Sequence, residues 1–169
     1  RDSTSSVALD DERGIIASSY GNTLEFHDQE TLEIINSTDF VREIYDLQYS
    51  PNGEYLAISL RAEQSVPDSI QIMNLETGEI KHEKGRGNNR PSNIDWSPNS
   101  EHIITPNMNN GVDIYDVESM SISNHISGQH VSDITCVKYS KSGNYIVTGD
   151  ELGRVNIWDD LGDYQDISF

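Results

Sequence analysis

The sequence predicts an all-β fold of four similar units, each a four-stranded antiparallel sheet, and three observations indicate it. Short runs rich in β-branched and aromatic residues alternate apolar with other residue types, as strands do. The segments between them are turn-forming combinations of Gly, Pro, Asn and Ser. A strand that ends in Asp or Asn also recurs, at Asp28, Asn74, Asp116 and Asp159, with spacings of 46, 42 and 43 residues. A period near forty residues is typical of the blades of a β-propeller.

The first strand of each unit leaves one apolar face free for packing against a neighbouring unit. The four first strands end at Val7-Ala8-Leu9-Asp10, Leu47-Gln48-Tyr49-Ser50, Ile94-Asp95-Trp96-Ser97 and Val137-Lys138-Tyr139-Ser140. Each is followed by a hairpin turn, because Pro fixes one turn angle while Asn and Gly tolerate positive φ. The turns are Asp11-Glu12-Arg13-Gly14, Pro51-Asn52-Gly53-Glu54, Pro98-Asn99-Ser100-Glu101 and Lys141-Ser142-Gly143-Asn144.

The remaining strands of each unit follow in the same order. The predicted second strands are residues 15–18, 55–59, 102–105 and 145–148, and the third strands end at the four recurring Asp or Asn positions. The predicted fourth strands are residues 32–36, 80–83, 121–127 and 164–169. The blades therefore span residues 6–36, 44–83, 92–127 and 134–169 of one domain over residues 1–169, with no helix and no interdomain linker.

The stretch from Gly128 to Asp159 resembles a WD40 repeat, a family whose units open near a Gly-His pair and close on Trp-Asp. Here the opening is Gly128-Gln129-His130 and the closing pair is Trp158-Asp159. The resemblance covers the whole chain through the four-fold repeat but is specific in the last quarter. It implies a propeller assembled from WD40-like blades.

In that family a His before the first strand, a Ser or Thr ending the second, an Asp in the next turn and the Trp of the third form a hydrogen-bonded relay. His130, Thr148 and Trp158 match three of these positions. Leu152 stands where the turn Asp is expected, just before Gly153, so we expect the relay to lack its carboxylate. The resemblance gives these residues a structural role, not a catalytic one.

The amino-acid composition limits the kinds of partner that this chain can bind and the compartment that suits it. The formal charge of −18, from 29 acidic against 11 basic residues, argues against binding to nucleic acid or to anionic membrane surfaces. No apolar run approaches the roughly 18 residues that span a bilayer. A single cysteine, Cys136, cannot form an internal disulfide, which fits a reducing, cytoplasmic location.

No motif for catalysis, cofactor binding or metal binding is found. The five histidines show no zinc-ligand spacing, and the acidic clusters are interpreted as solvated turns. Gly85-Arg86-Gly87 lacks the third Gly and the helix of a nucleotide fingerprint. Cys136 alternates with Ile134 on a first strand, so we expect it to be a small buried residue. We therefore expect neither an enzyme nor a bound cofactor.

One candidate binding site stands out from the repeat. An insertion at residues 61–69 and the connection at residues 81–91 leave the sheet at the same end, because successive turns of a meander alternate between its ends. Together they form a basic lip that suits an acidic peptide or a phosphate group. The residues of the lip are Arg61, Lys81, Lys84, Arg86 and Arg90.

The resemblance implies a non-enzymatic scaffold that binds other proteins, and that step from fold to function is an analogy. An alternative is a propeller accessory to an enzyme, similar to the TolB type or the gating domains of peptidases, since Ser50-Pro51-Asn52-Gly53 and Asn74-Leu75-Glu76-Thr77-Gly78 suit either class. A further alternative is a microtubule-associated protein, because Ile94-Asp95-Trp96-Ser97-Pro98, Tyr115-Asp116 and residues 148–153 look similar to phrases of the echinoderm microtubule-associated-protein-like family.

Four blades are few for such a ring, which usually has about seven. We therefore expect this arc to be part of a larger ring, completed by additional blades or through self-association with a second copy.

Overall fold

The computed structural model describes residues 4–61, 69–82, 93–159 and 164–165. It contains four separate four-stranded sheets, which we call blades 1 to 4 in chain order. Every paired strand is antiparallel to its neighbour, and in each blade the strands are neighbours in the order in which they occur in the sequence. The predicted all-β fold class is confirmed.

The strands are short and have similar lengths in all four blades. Blade 1 consists of β1 (Thr4–Asp10), β2 (Ile15–Tyr20), β3 (Thr23–Asp28) and β4 (Ile34–Asp39). Blade 2 consists of β5 (Ile44–Tyr49), β6 (Tyr55–Leu60), β7 (Ser69–Asn74) and β8 (Ile80–His82). Blade 3 consists of β9 (Asp95–Trp96), β10 (His102–Asn107), β11 (Gly111–Asp116) and β12 (Ser121–Ile126). Blade 4 consists of β13 (Ile134–Tyr139), β14 (Tyr145–Asp150), β15 (Val155–Asp159) and β16 (Tyr164–Gln165).

The first strands of neighbouring blades lie side by side and are joined by carboxylates. The Ile94 amide donates to Asp46 Oδ2 at 3.0 Å, which links β5 to the start of blade 3. The Tyr139 amide donates to Asp95 Oδ2 at 2.7 Å, which links β9 to β13. The fourth strands lie on the outside, where β4 and β12 are largely exposed. The blades therefore stack around their first strands, as in a propeller.

An apolar core fills each of the three spaces between blades. Leu24 of blade 1 packs with Leu47, Leu56 and Ile58 of blade 2. The other face of blade 2 packs on blade 3 through the buried residues Ile72, Ile94, Trp96, Ile103 and Tyr115. Blade 3 packs on blade 4 through Ile104, Val112, Ile114, Ile146 and Trp158. Burial of these faces supplies the main driving force for stacking.

Several predicted strands differ from the structure at their ends. The second strands run two residues further than expected in blades 1, 3 and 4, so that Gly149 and Asp150 belong to β14 rather than to the turn. The fourth strand of blade 1 starts at Ile34, not at residue 32. The reason is a turn in which Asp28 Oδ1 accepts the amides of Glu30 and Thr31, while Leu32 adopts a φ of 59°.

A β-bulge interrupts three of the first strands and corrects the expectation for Cys136. The pairing shifts by one residue between Thr4 and Ser6, between Ile44 and Asp46, and between Ile134 and Cys136. The extra residue reverses the alternation of side chains beyond it. Ile134 is therefore buried, whereas Cys136 lies on the opposite face and is exposed.

The stacked blades have two ends. The upper rim is the end that holds the turns between second and third strands and the connections between blades, including residues 21–22, 40–43, 108–110, 127–133 and 151–154. The lower rim holds the turns between first and second strands and those between third and fourth strands, including residues 11–14, 29–33, 117–120 and 140–144.

Candidate functional site

The structure brings the three predicted relay residues together inside blade 4. Trp158 Nε1 lies 2.9 Å from Thr148 Oγ1, and His130 Nε2 lies 2.7 Å from the same oxygen. Thr148 sits on β14 and Trp158 on β15, while His130 comes from the connection that precedes β13. The side chain of His130 is fully buried. The connection between blades 3 and 4 is thereby tied to the middle of the sheet.

The expectation that this relay lacks a carboxylate is wrong. Asp150 Oδ2 lies 2.8 Å from His130 Nδ1, and Asp150 Oδ1 accepts the amides of Leu152 and Arg154 at 3.0 and 2.9 Å. The carboxylate is therefore supplied by the last residue of β14, which leads the turn, and not by the residue before Gly153. Asp150 therefore binds the turn at residues 151–154 through Oδ1 and His130 through Oδ2.

The donor and acceptor groups of the side chains determine the direction of each hydrogen bond in the relay. The Trp158 indole can only donate and the ionised Asp150 carboxylate can only accept. His130 Nδ1 therefore carries the hydrogen that Asp150 accepts, and in the neutral imidazole Nε2 accepts the Thr148 hydroxyl. Thr148 in turn accepts from Trp158. Every polar group of the chain of hydrogen bonds has a partner, which is what burial requires.

The same hydrogen bonds perturb the titration of Asp150. Its bond from His130 is the largest cause of a lowered pKa, burial opposes it, and the amides of Arg154 and Leu152 lower the pKa further. A lowered pKa means that the ionised carboxylate is more stable in the folded chain than in the unfolded one. The relay therefore contributes stability while Asp150 is ionised.

Equivalent positions in the other blades carry fragments of this arrangement. In blade 1, His27 Nε2 lies 3.0 Å from Ser18 Oγ, in the places that Trp158 and Thr148 occupy. In blade 3, Asn107 takes the place of Asp150, and its Oδ1 accepts the amides of Asn109 and Gly111. Blade 2 has apolar side chains, Ile58 and Met73, at the corresponding positions. Of the blades described, blade 4 has the complete relay.

The structure describes two of the five residues of the basic lip, Arg61 and Lys81. Lys84, Arg86 and Arg90 lie outside the described residues. Arg61 Nη1 lies 2.7 Å from Glu43 Oε2, and its guanidinium sits 5.7 Å from the centre of the Tyr45 ring. Lys81 lies on β8 opposite Ile72. Because Leu60 pairs with Ser69 and Gln71 with His82, both halves of the lip leave blade 2 at the upper rim.

The upper rim also exposes large apolar side chains, which sequence reasoning missed. Val41 is 95% exposed, Leu152 65%, Val131 62% and Met108 50%. Each lies in a different connection on that rim. Each of these apolar residues lies between two predicted strands, where polar residues are usual, and that is the signal that could have identified them. The four side chains share one end of the blades, and an exposed apolar surface of this kind suits contact with another protein.

Two cavities open between blades 3 and 4. One, of about 420 Å³, lies at the upper rim, and the other, of about 410 Å³, lies at the lower rim. In the part of the chain that the structure describes, no group of three His, Cys, Asp or Glu side chains is placed to hold a metal ion. Nor does that part contain a helix long and apolar enough to cross a membrane.

Comparison with known proteins identifies the fold. Residues 120–159 match the family model for "WD domain, G-beta repeat", which is the segment that contains Thr148, Asp150 and Trp158. The chain also superimposes on a solved structure, Kuenenia stuttgartiensis hydrazine synthase, with a TM-score of 0.81 over 96% of its length at 16% identity. The fold is a β-propeller. The match to the WD domain model runs from β12 of blade 3 through β15 of blade 4.

The propeller segment spans about half of that solved structure, 48% of its chain. No curated protein sequence matches the chain. Neither comparison points to the echinoderm microtubule-associated-protein-like family, so the resemblance to that subgroup is unsupported.

Proposed function

We propose that this propeller is a non-enzymatic scaffold of the WD40-repeat type, which binds other proteins through its upper rim. The observation that carries the proposal is that four large exposed apolar side chains, Val41, Met108, Val131 and Leu152, share one end of the blades. Large apolar side chains are costly in water unless a partner covers them. The match of blade 4 to the WD domain supports the same role, because WD repeats are typically interaction modules.

The relay explains how the rim is held rigid enough for recognition. His130 fixes residues 127–133, and Asp150 fixes residues 151–154, so Val131 and Leu152 project from connections that are anchored in the blade. A rigid platform loses little conformational entropy when a partner binds. We place the scaffold in a reducing compartment such as the cytoplasm, in keeping with its single cysteine.

Differential capture tests the proposal. The chain and a variant with Val131→Ser and Leu152→Ser are used as baits in a lysate, and captured proteins are identified by mass spectrometry. The control bait carries Leu32→Ser and Ile35→Ser, two residues of similar exposure away from the upper rim. We expect at least one partner whose recovery falls about tenfold with the first variant and stays unchanged with the second. Equal recovery by all three baits contradicts the proposal.

The basic lip is a second binding element within the same proposal. Lys84 and Arg86, together with Lys81 and Arg90, would attract acidic partners to an otherwise acidic molecule. Arg61 contributes less than its charge implies to the attraction of acidic partners, because it already pairs with Glu43 and lies over the Tyr45 ring. A variant with Lys84→Glu and Arg86→Glu should weaken binding of an acidic partner and flatten its salt dependence. If neither changes, these residues form an ordinary loop.

A second candidate function is a propeller accessory to an enzyme. The solved structure that the chain resembles is named as a synthase, and the turns at residues 50–53 and 74–78 fit that class too. The capture experiment separates the two candidates by the identity of the partner. A captured catalytic protein favours the accessory role, and other proteins favour the general scaffold.

A further inference from the structure

The cavity at the upper rim between blades 3 and 4 has the chemistry of a side-chain pocket. We call it the rim notch, and its volume is about 420 Å³. Its lining comes from the end of β10 and the turn that follows, from the start of β13, and from the turn after β14. The lining residues are Pro106, Asn107, Met108, Asp133, Ile134, Thr135 and Glu151.

The inner part of the rim notch is apolar. Pro106 and Ile134 are buried and therefore lie at its base, whereas Met108 is half exposed and lies at its mouth. Methionine is flexible and polarizable and adapts to the shape of a bound group. An apolar base of this kind suits the methylene stem of a long side chain.

The blade 4 side of the rim notch carries two negatively charged side chains. Asp133 and Glu151 are both exposed, and their segments are joined by the Glu151 amide, which donates to the Asp133 carbonyl at 3.0 Å. Among the described residues, neither carboxylate has an ion-pair partner. Two uncompensated carboxylates on a chain of net charge −18 attract a cation and repel an anion.

The two remaining polar side chains of the rim notch, Thr135 and Asn107, are already hydrogen-bonded. Thr135 Oγ1 donates to the Gly149 carbonyl at 3.3 Å. Asn107 Oδ1 accepts the amides of Asn109 and Gly111, and its Nδ2 lies 2.9 Å from Asp113 Oδ1. Asn107 therefore shapes the wall and leaves recognition of charge to Asp133 and Glu151.

We propose that the rim notch binds the side chain of a lysine or arginine in an extended segment of a partner protein. The stem lies along Met108 and Ile134, and the cationic head is placed between Asp133 and Glu151. This inference rests on the proposed scaffold function and deepens it by naming the chemistry of a partner. It concerns blades 3 and 4, whereas the basic lip belongs to blade 2 and suits partners of the opposite charge.

Methionine methyl resonances give a direct test. The chain has three methionines, and Met108 is 50% exposed at the rim notch while Met73 and Met120 are each 8% exposed in the inter-blade cores. The chain is labelled with ¹³C-methyl methionine, and Met108→Leu assigns the exposed signal. The probe is the peptide acetyl-Gly-Ala-Arg-Ala-Gly-amide, with lysine, citrulline and glutamate versions. We expect the arginine and lysine peptides to shift the Met108 signal saturably, less so at high salt, while the signals of Met73 and Met120 stay in place.

Matched variants show whether the two carboxylates are responsible. Asp133→Asn with Glu151→Gln should weaken binding of the arginine peptide about tenfold. The control pair, Glu76→Gln with Glu118→Gln, removes the same charge from exposed positions on the lower rim and should leave binding unchanged. Unshifted Met73 and Met120 signals show that each variant is folded.

Three results overturn the inference: no saturable shift of Met108, equal shifts with the citrulline peptide, or equal losses in both variant pairs. The last would show general attraction to an acidic surface. The peptide titration and the capture experiment can fail independently of each other. If differential capture succeeds while the peptides fail, the scaffold role stands and the rim notch is not its site.

Discussion

At the scale of single residues, Thr148 is the centre of the blade 4 relay, because its hydroxyl serves both Trp158 and His130. Replacing it with valine keeps the shape but removes the hydrogen bonds that the hydroxyl makes with Trp158 Nε1 and His130 Nε2 in a buried interior. Each buried hydrogen bond lost in this way costs about 1 to 2 kcal/mol. We expect Thr148→Val to lower the free energy of unfolding by about 2 to 4 kcal/mol in urea titrations.

Blade 3 offers a matched control for that substitution. Thr105 occupies the same position and is equally buried, and among the described residues its hydroxyl makes one hydrogen bond, to the Asn93 carbonyl at 3.3 Å. Thr105→Val should therefore cost about 1 kcal/mol or less. Equal losses for the two variants would show that the relay contributes no more than an ordinary hydroxyl.

The carboxylate of the relay gives a pH-dependent signature. Because the pKa of Asp150 in the folded chain lies below its ordinary value of 3.8, its contribution is complete above about pH 4 and is lost as the pH falls through the folded pKa. Protonation of the other acidic groups also changes stability, because it relieves repulsion between their charges. The effect of Asp150 is therefore measured as the difference between the unmodified chain and a variant. Asp150→Asn should destabilise the chain at pH 7, and this difference should shrink below about pH 4 in urea titrations.

The control for this pH dependence is Glu118→Gln, which removes one exposed charge from the lower rim. It should follow the profile of the unmodified chain at every pH. A constant difference between Asp150→Asn and the unmodified chain from about pH 7 to about pH 3 would contradict a role for the ionised carboxylate.

At the scale of elements, neighbouring blades are joined by carboxylates on the first strands. Asp46 Oδ1 accepts the Ser6 hydroxyl of blade 1 at 3.0 Å and Asp46 Oδ2 accepts the Ile94 amide of blade 3, so one side chain links three blades. Asp46→Ala should accelerate amide hydrogen exchange at Ile94. The Tyr139 amide, which is held by Asp95, should keep its protection. Unchanged exchange at Ile94 would mean that packing alone joins the blades.

Two glycines test how tightly the strands of a blade are packed. A Cβ on Gly111 would lie 2.3 Å from the Ile126 carbonyl oxygen, which is backbone and cannot move aside. A Cβ on Gly149 would lie 2.8 Å from Cys136 Sγ, which is exposed and can rotate away. We expect Gly111→Ala to cost about 2 kcal/mol or more and Gly149→Ala about 1 kcal/mol or less, by thermal unfolding. The reverse order would contradict the packing described.

The repeat made the blades predictable, because alternation and turn residues report local backbone geometry. It did not show the bulges in β1, β5 and β13, since an inserted residue leaves the composition of a strand unchanged, and Cys136 was placed on the wrong face for that reason. The relay residues His130, Thr148 and Trp158 were identified through their resemblance to a family. Asp150 was missed because the hydrogen-bond geometry, not the position before Gly153, decides which carboxylate reaches His130.

At the scale of the whole molecule, apolar side chains are exposed on both outer faces of the stack that the described residues form. Blade 1 exposes Val7 and Leu9 on β1, and blade 4 exposes Val155 and Cys136 on the face turned away from blade 3. Stacked repeats need their end faces covered. We expect the isolated 169-residue chain to associate at micromolar concentration, as seen by light scattering. A well-dispersed 19.0 kDa species at all concentrations would contradict this.

The most direct test of the scaffold account is the footprint of a captured partner, measured by hydrogen–deuterium exchange of the complex. We expect slower exchange in the upper-rim connections, residues 40–43, 108–110, 127–133 and 151–154, with little change in the lower-rim turns at residues 29–33, 117–120 and 140–144. Protection confined to the lower rim or to the outer strands β4 and β12 would contradict it.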